Sequence, residues 1–218
     1  MDIQYIIDLA NYSDGVLYAL AFLQLMALAV IIDRAWYLRR TIMGGARLVS
    51  NVASHQLLTG NDIGTLRQRA GNLPEVSLFD VILDVGSSLS KDDLDDRMEE
   101  AILLTTPRLD KRLWVLDTII KLAPLLGLFG TILGKFRAFS VLATPGQAPT
   151  AVTGGVANAL VTTAAGIFVA MVGLLAYNGL SNATRLVVHQ METLRTLLLN
   201  RLVNGHTAPN HAATLAAE

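Results

Sequence analysis

Four polar side chains stand where chemistry would be expected in the long apolar part of this chain: Thr131, Asn158, Thr162 and Thr163. A threonine hydroxyl both donates and accepts, so it can hold a carboxyl group or an ordered water in either protonation state, whereas an asparagine amide hydrogen-bonds without titrating. What the same region lacks is equally informative. Between Thr118 and Met191 there is no aspartate or glutamate. Charge inside a bilayer is costly and persists mainly where it works. If protons move along this path, a partner must supply the carboxylate that carries them. The bland alternative for each threonine is a hydroxyl bonded back to its own helix.

The elements that would position these residues follow from hydropathy. Of the 218 residues, 52% are hydrophobic and only 16% charged, below the ~25% of an average soluble domain. Mean hydropathy is +0.47, which places the chain among integral membrane proteins. With no cysteine, disulfides, thiolate metal sites and cysteine nucleophiles are excluded; His55, His189, His206 and His211 lie outside the apolar runs, so no metal site is expected. The net charge of −1 gives no argument for nucleic acid. No Lys or Arg precedes the first apolar run, so that run is expected to remain as an anchor rather than a cleaved signal.

Three spans are predicted, each long enough for a ~30 Å hydrocarbon core. The first is 16–38, closed by Asp33, Arg34, Arg39 and Arg40 with Trp36 and Tyr37 at the interface. The second is 113–142, with Asp117 and Lys121 one helical turn apart and able to pair at the near interface. The third is 153–178, continued by a helix over 179–204 with apolar residues at three-and-four spacing. A loop at 143–152 separates the last two spans, and residues 1–15 and 205–218 form a short N-terminus and a disordered tail. Basic residues concentrate in 34–121 and after 184, so the positive-inside rule places the N-terminus and the 143–152 loop outside and the region 39–112 and the C-terminus in the cytoplasm. In 39–112 two helical pieces are expected: Ser90 followed by Asp92 and Asp93 reads as a helix start, and Pro107 as a kink or restart. The expected fold is an all-α integral membrane protein, three transmembrane helices with long cytoplasmic helical extensions.

Small residues recur on one face of each of the last two spans: Gly127, Gly134 and, beside them, Gly130 on the second; Ala159, Gly166, Ala170 and Gly173 on the third. Such stripes let helix backbones approach closely. They serve either packing alone or a smooth wall around another element, with Thr131, Thr162 and Thr163 as its polar points. No nucleophile–base or carboxylate pair lies in the spans, which argues against an intramembrane hydrolase and leaves no enzymatic reading.

The run Leu125-Leu-Gly-Leu-Phe-Gly-Thr-Ile-Leu-Gly134, with Gly155-Val-Ala-Asn-Ala-Leu-Val-Thr-Thr-Ala-Ala-Gly166 and Tyr177-Asn178, resembles the ExbB/TolQ/MotA proton-channel family, most closely ExbB and TolQ. Asp33 to Arg40 is similar to that family's exit from its first span. The resemblance implies an inner-membrane, ring-forming homo-oligomer, a homopentamer, around the transmembrane helices of an ExbD- or TolR-like single-span partner whose aspartate carries the proton. It needs no cofactor beyond the proton motive force. It further implies a TonB-like protein passing force to outer-membrane siderophore receptors. The family's two pore threonines fall on Thr131 and Thr163, and Asn158 stands where many relatives have glutamate, which puts an accessory proton site there in doubt. A TolQ-like envelope motor and a non-conducting scaffold are the alternatives. A flagellar stator would have four spans rather than three.

Overall fold

The computed structural model describes residues 15–55, 58, 60–85, 90–142 and 149–207. Among them the regular structure is entirely helical: α1 Val16–Ser54, α2 Gly60–Ala70, α3 Val76–Val85, α4 Lys91–Leu109, α5 Leu113–Leu142 and α6 Pro149–Thr207. The protein is an all-α membrane protein in which α1, α5 and α6 are long and apolar enough to cross a bilayer. At ~1.5 Å per residue, α1 and α6 both far exceed the ~30 Å that a hydrocarbon core requires, so each continues beyond its span.

The helix carrying the first expected span does not stop near residue 38 but runs unbroken to Ser54. Charged Asp33-Arg34 and Arg39-Arg40 end the apolar run without ending the helix, because Arg and Asp interrupt hydropathy, not backbone geometry. The middle region likewise holds more helix than the two pieces expected: the end of α1, then α2, α3 and α4. Pro107 lies inside α4 and neither breaks nor restarts it; the helix ends just after it, where the Asp110 N–H donates to the Thr106 carbonyl at 3.2 Å. The start of α4 is as read: the Asp93 N–H donates to Ser90 Oγ at 3.2 Å. Pro149, expected in a loop, sits instead at the first position of α6, where a proline loses no hydrogen bond. The 143–148 part of that loop and the tail after 207 lie outside the described residues.

The chain divides into two compact units, Met1–Arg34 with Arg112–Leu180, and Ala35–Lys111 with Ser181–Glu218. In the first, the apolar parts of α1, α5 and α6 bury Leu20, Leu23, Ala27, Leu116, Ile119 and Val169, while Phe22, Leu25, Phe136, Phe168 and Leu175 are left exposed. Large apolar side chains facing outward suit a lipid or helix neighbour, not water. Asp33 accepts from Arg112 Nη1 at 2.7 Å, and Lys121 pairs with Asp117 at 2.6 Å. Arg112 holds a positive φ of 70°, unusual for a non-glycine residue, in the turn just before α5. In the second unit Phe79, Leu78, Met98, Met191, Leu194 and Leu198 form a core of large side chains. Gly71, at φ 57°, ends α2 in the left-handed conformation glycine tolerates best.

Candidate functional site

Helices α5 and α6 run antiparallel, and glycines set how closely. A Cβ on Gly127 would lie 3.0 Å from the Thr162 carbonyl and 3.1 Å from Thr163 Cα; one on Gly166 would lie 2.5 Å from the Ala123 carbonyl. Gly134 faces Ala159 (2.7 Å from such a Cβ to the alanine methyl), and Gly173 faces Ile120 at 3.0 Å. The pairs Ile120–Gly173, Gly127–Gly166 and Gly134–Ala159 step by one heptad along each helix in opposite directions. A seven-residue step returns to nearly the same helix face, so one seam of contact persists along the pair. Gly130 lies to one side, against the Thr162 methyl and Val16 of α1. Ala170 is half-buried. The small-residue stripes are therefore occupied within a single chain. Contacts to another copy must use faces that this seam leaves exposed.

On this seam the two threonines meet. The Thr131 and Thr163 hydroxyls are in direct hydrogen-bond contact across the helix pair. Thr163 Oγ1 also donates to the Gly127 carbonyl at 3.0 Å; Thr131 Oγ1 reaches the same carbonyl at 3.2 Å and the Ala159 carbonyl at 3.3 Å. Each hydroxyl has one proton and two lone pairs. Both protons therefore have acceptors inside the pair, while lone pairs remain for an incoming donor. Such a pair can accept from a protonated carboxylic acid with its internal bonds intact. Donating to an ionised carboxylate requires one hydroxyl proton to leave its present acceptor. Thr131 is buried at 7% exposure and Thr163 is the more open of the two.

Thr162 does not join them. Its Oγ1 bonds back to the Asn158 carbonyl at 3.3 Å and its side chain is buried beside Gly130. Adjacent helical residues point ~100° apart, so only one of Thr162 and Thr163 can face Thr131. Asn158 is half-buried, one turn from Thr162, and its described contact here is made by its backbone carbonyl. Of the interfacial charges, Asp33 is shared by Arg112 (2.7 Å) and Arg34 (4.0 Å), Arg34 is buried, and Arg39 and Arg40 are exposed. The sequence reading missed the Gly127 carbonyl as the shared acceptor of both hydroxyls, because a backbone atom leaves no mark on residue type. It missed Arg112 as the partner of Asp33 as well, since their separation along the chain hides the contact.

The sequence pattern of the MotA/TolQ/ExbB proton channel family matches residues 73–193, which include α5, the threonine pair and most of α6. The chain is 34% identical over 160 residues to the biopolymer transport protein ExbB-like 3 of Synechocystis sp., covering 71% of this chain and 74% of that one. It is 39% identical over 98 residues to the biopolymer transport protein ExbB of Neisseria gonorrhoeae, 44% of each chain. A homologue of ExbB in Methanothermobacter thermautotrophicus is 24% identical over 187 residues, 85% of this chain and 66% of the other. A threonine pair on a close-packed helix seam, a stretch without carboxylates, and matches of this extent agree: the chain belongs to the MotA/TolQ/ExbB proton channel family.

Proposed function

We propose that this chain is an ExbB-like motor subunit of the bacterial inner membrane. In this reading several copies, a homopentamer, enclose an ExbD-like single-span partner. The partner's aspartate carries the proton, and a TonB-like protein delivers the resulting force to outer-membrane transport. The N-terminus is periplasmic and the C-terminus cytoplasmic, as the distribution of Lys and Arg argues. The ExbB relatives favour this side of the family over a TolQ-type envelope motor. The observation that carries the reading is the Thr131–Thr163 pair in a region with no carboxylate of its own. Because its two protons are engaged and its lone pairs are open, the pair receives a protonated aspartate more readily than an ionised one. A site of that preference loads a proton before the partner helix moves. Each charge crossing the membrane potential supplies ~2.3 kcal/mol per 100 mV, so several protons suffice to work against packed helices.

Valine has nearly the shape of threonine without the hydroxyl, so Thr131→Val and Thr163→Val separate hydrogen bonding from volume. Each variant should express, assemble and co-purify with the partner. Proton flux should fall at least ~tenfold, since a hydrogen bond to a charged or charge-developing group contributes ~1.5–3 kcal/mol. The measurement is flux in proteoliposomes holding chain and partner, beside siderophore-dependent growth. Normal flux in both variants would show that the hydroxyls only join α5 to α6.

A further inference from the structure

Outside the spans, Glu75 sits in the turn before α3 with no exposed surface, and neither carboxyl oxygen has a hydrogen-bond partner. It faces Gly45 of α1: a Cβ added there would collide with Glu75 Oε1 and lie 2.7 Å from Gln190 Oε1 of α6. Two acceptor oxygens thus converge on the recess left by one glycine. Flipping the Gln190 amide would relieve this only at a cost elsewhere. Its Nε2 donates to the Ile42 carbonyl at 3.3 Å, and a flip would set two carbonyl oxygens against each other. Gln190 Oε1 is also buried without a partner. A dry recess holding a carboxylate and an amide oxygen, with only a weak Cα–H donor from glycine, is a costly arrangement. One added proton on the carboxyl resolves it, turning an acceptor into the donor that the amide oxygen needs.

Among the described residues no cation pairs with Glu75. Arg67 pairs with Asp80, Arg195 with Asp95 and Glu99, and Arg201 donates to the Ala53 carbonyl. On the elements that form the recess, Arg47 of α1 and His189 and Glu192 of α6 are exposed, the last two 3.7 Å apart. Asp84 of α3 is exposed as well. Burial is the main influence on the Glu75 carboxyl and pushes it above the usual carboxylate range; its own backbone N–H, too poorly placed for a hydrogen bond, offsets this in part.

We propose that Glu75 is a proton-binding site: its buried carboxyl, once protonated, donates to Gln190 Oε1, so that a single proton ties α1, the α3 turn and α6 together beside Gly45. The sign follows from linkage. A carboxyl whose folded affinity for protons exceeds its unfolded one adds stability at low pH, and that contribution is lost as pH rises above the ordinary glutamate value toward the folded one. The joint tightens on acidification and loosens on alkalinisation. This site is separate from the threonine pair and does not depend on the proposed motor function.

Infrared difference spectroscopy of the full chain in lipid nanodiscs, with glutamate carbon-13 labelled, reads the proton directly. One carboxylic-acid carbonyl band should persist to higher pH than those of the exposed glutamates, disappear as pH rises further, and be missing in Glu75→Gln. Gln190→Leu should shift the band, because the acid loses its acceptor. Thermal unfolding gives a second readout. Glu75→Gln, which mimics the neutral acid, should match the wild type near about pH 5 and exceed it near about pH 8 by ~2–4 °C. Wild-type spectra in which no acid band outlasts those of the exposed glutamates would overturn the proposal even if the variant fails to fold. So would a band unmoved by Gln190→Leu, or a Glu75→Gln protein that melts below the wild type at both pH values. Stabilisation of the wild type at alkaline pH by sodium or potassium chloride, and not by N-methylglucamine chloride, would assign the recess to a bound cation and equally overturn it.

Discussion

The α5–α6 seam and the helical unit of Ala35–Lys111 with Ser181–Glu218 solve the same packing problem with opposite materials. At the centre of the seam backbone meets backbone: the atoms nearest a Cβ on Gly166 or Gly127 are all backbone atoms. In the other unit, large side chains meet: Phe79, Met98, Met191 and Leu194 are all buried. Lipid tails are as apolar as leucine, so burying leucine drives little helix association in a membrane, and close van der Waals contact with interhelical hydrogen bonds takes over. Against water, apolar area itself is the driving force, at ~25 cal/mol per Å². Polar groups follow the same division. The Thr131 and Thr163 hydroxyls satisfy each other and nearby carbonyls, whereas Glu75 and Gln190 leave oxygens unpartnered. In the membrane seam both hydroxyl protons already have acceptors and only lone pairs remain; in the other unit a carboxyl and an amide oxygen lack a proton between them.

The largest effect that sharpens this contrast is expected from Phe79→Ala. Phe79 is fully buried, and truncating such a side chain typically costs ~3–5 kcal/mol. Urea- or heat-induced loss of the helical signal should move accordingly, and a change below ~1 kcal/mol would mean that this core is loosely packed. Glycine substitutions come next. Gly166→Ala places a methyl against the Ala123 carbonyl, a backbone atom that cannot swing away, so overpacking of ~1–3 kcal/mol should outweigh the ~1 kcal/mol gain in helix propensity. At Gly44 of the other unit the obstructing atoms are the methyl ends of half-buried Leu73, which can shift, so Gly44→Ala should come out near neutral. Comparing the thermal midpoints of the two variants tests the contrast itself. Equal losses would break it.

The smallest effect is expected at the surface of the second unit. Arg195 bridges Asp95 at 2.5 Å and Glu99 at 3.0 Å, and the hydrogen bond to Arg195 lowers the Asp95 carboxyl below its usual range. Its contribution is present above the ordinary aspartate value and is lost as pH falls through the lower folded one. Asp95 is 39% exposed, so solvent screening holds the contribution under ~1 kcal/mol. Asp95→Asn should lower the thermal midpoint slightly at neutral pH, and the gap to the wild type should close in acid. A gap that stays constant with pH would place the effect in packing and not in charge.

Three apolar helices, the helix start at Ser90, the run without carboxylates and the small-residue spacing were all legible in the chain, because each depends on residue type and on separations of a turn or two. Periodicity also showed which small residues share a face. It could not show what that face meets, since angular position along one helix carries no information about the register of its neighbour. The resemblance to a family singled out Thr131 and Thr163, but only the antiparallel heptad match with α5 turns Thr163 toward Thr131 and leaves Thr162 against Gly130. The continuation of α1 past its charges was hidden for a related reason: hydropathy marks where lipid ends, not where hydrogen bonding along the helix ends. Glu75 is the clearest case. A glutamate after a proline in a turn reads as a solvated surface residue, and only the convergence of Gly45 and Gln190, distant in sequence on either side, removes it from water. Local patterns therefore determined the spans and the chemistry they lack. Tertiary packing decided which hydroxyls meet and which carboxyl is buried, because desolvation and hydrogen-bond pairing belong to groups brought together from far along the chain.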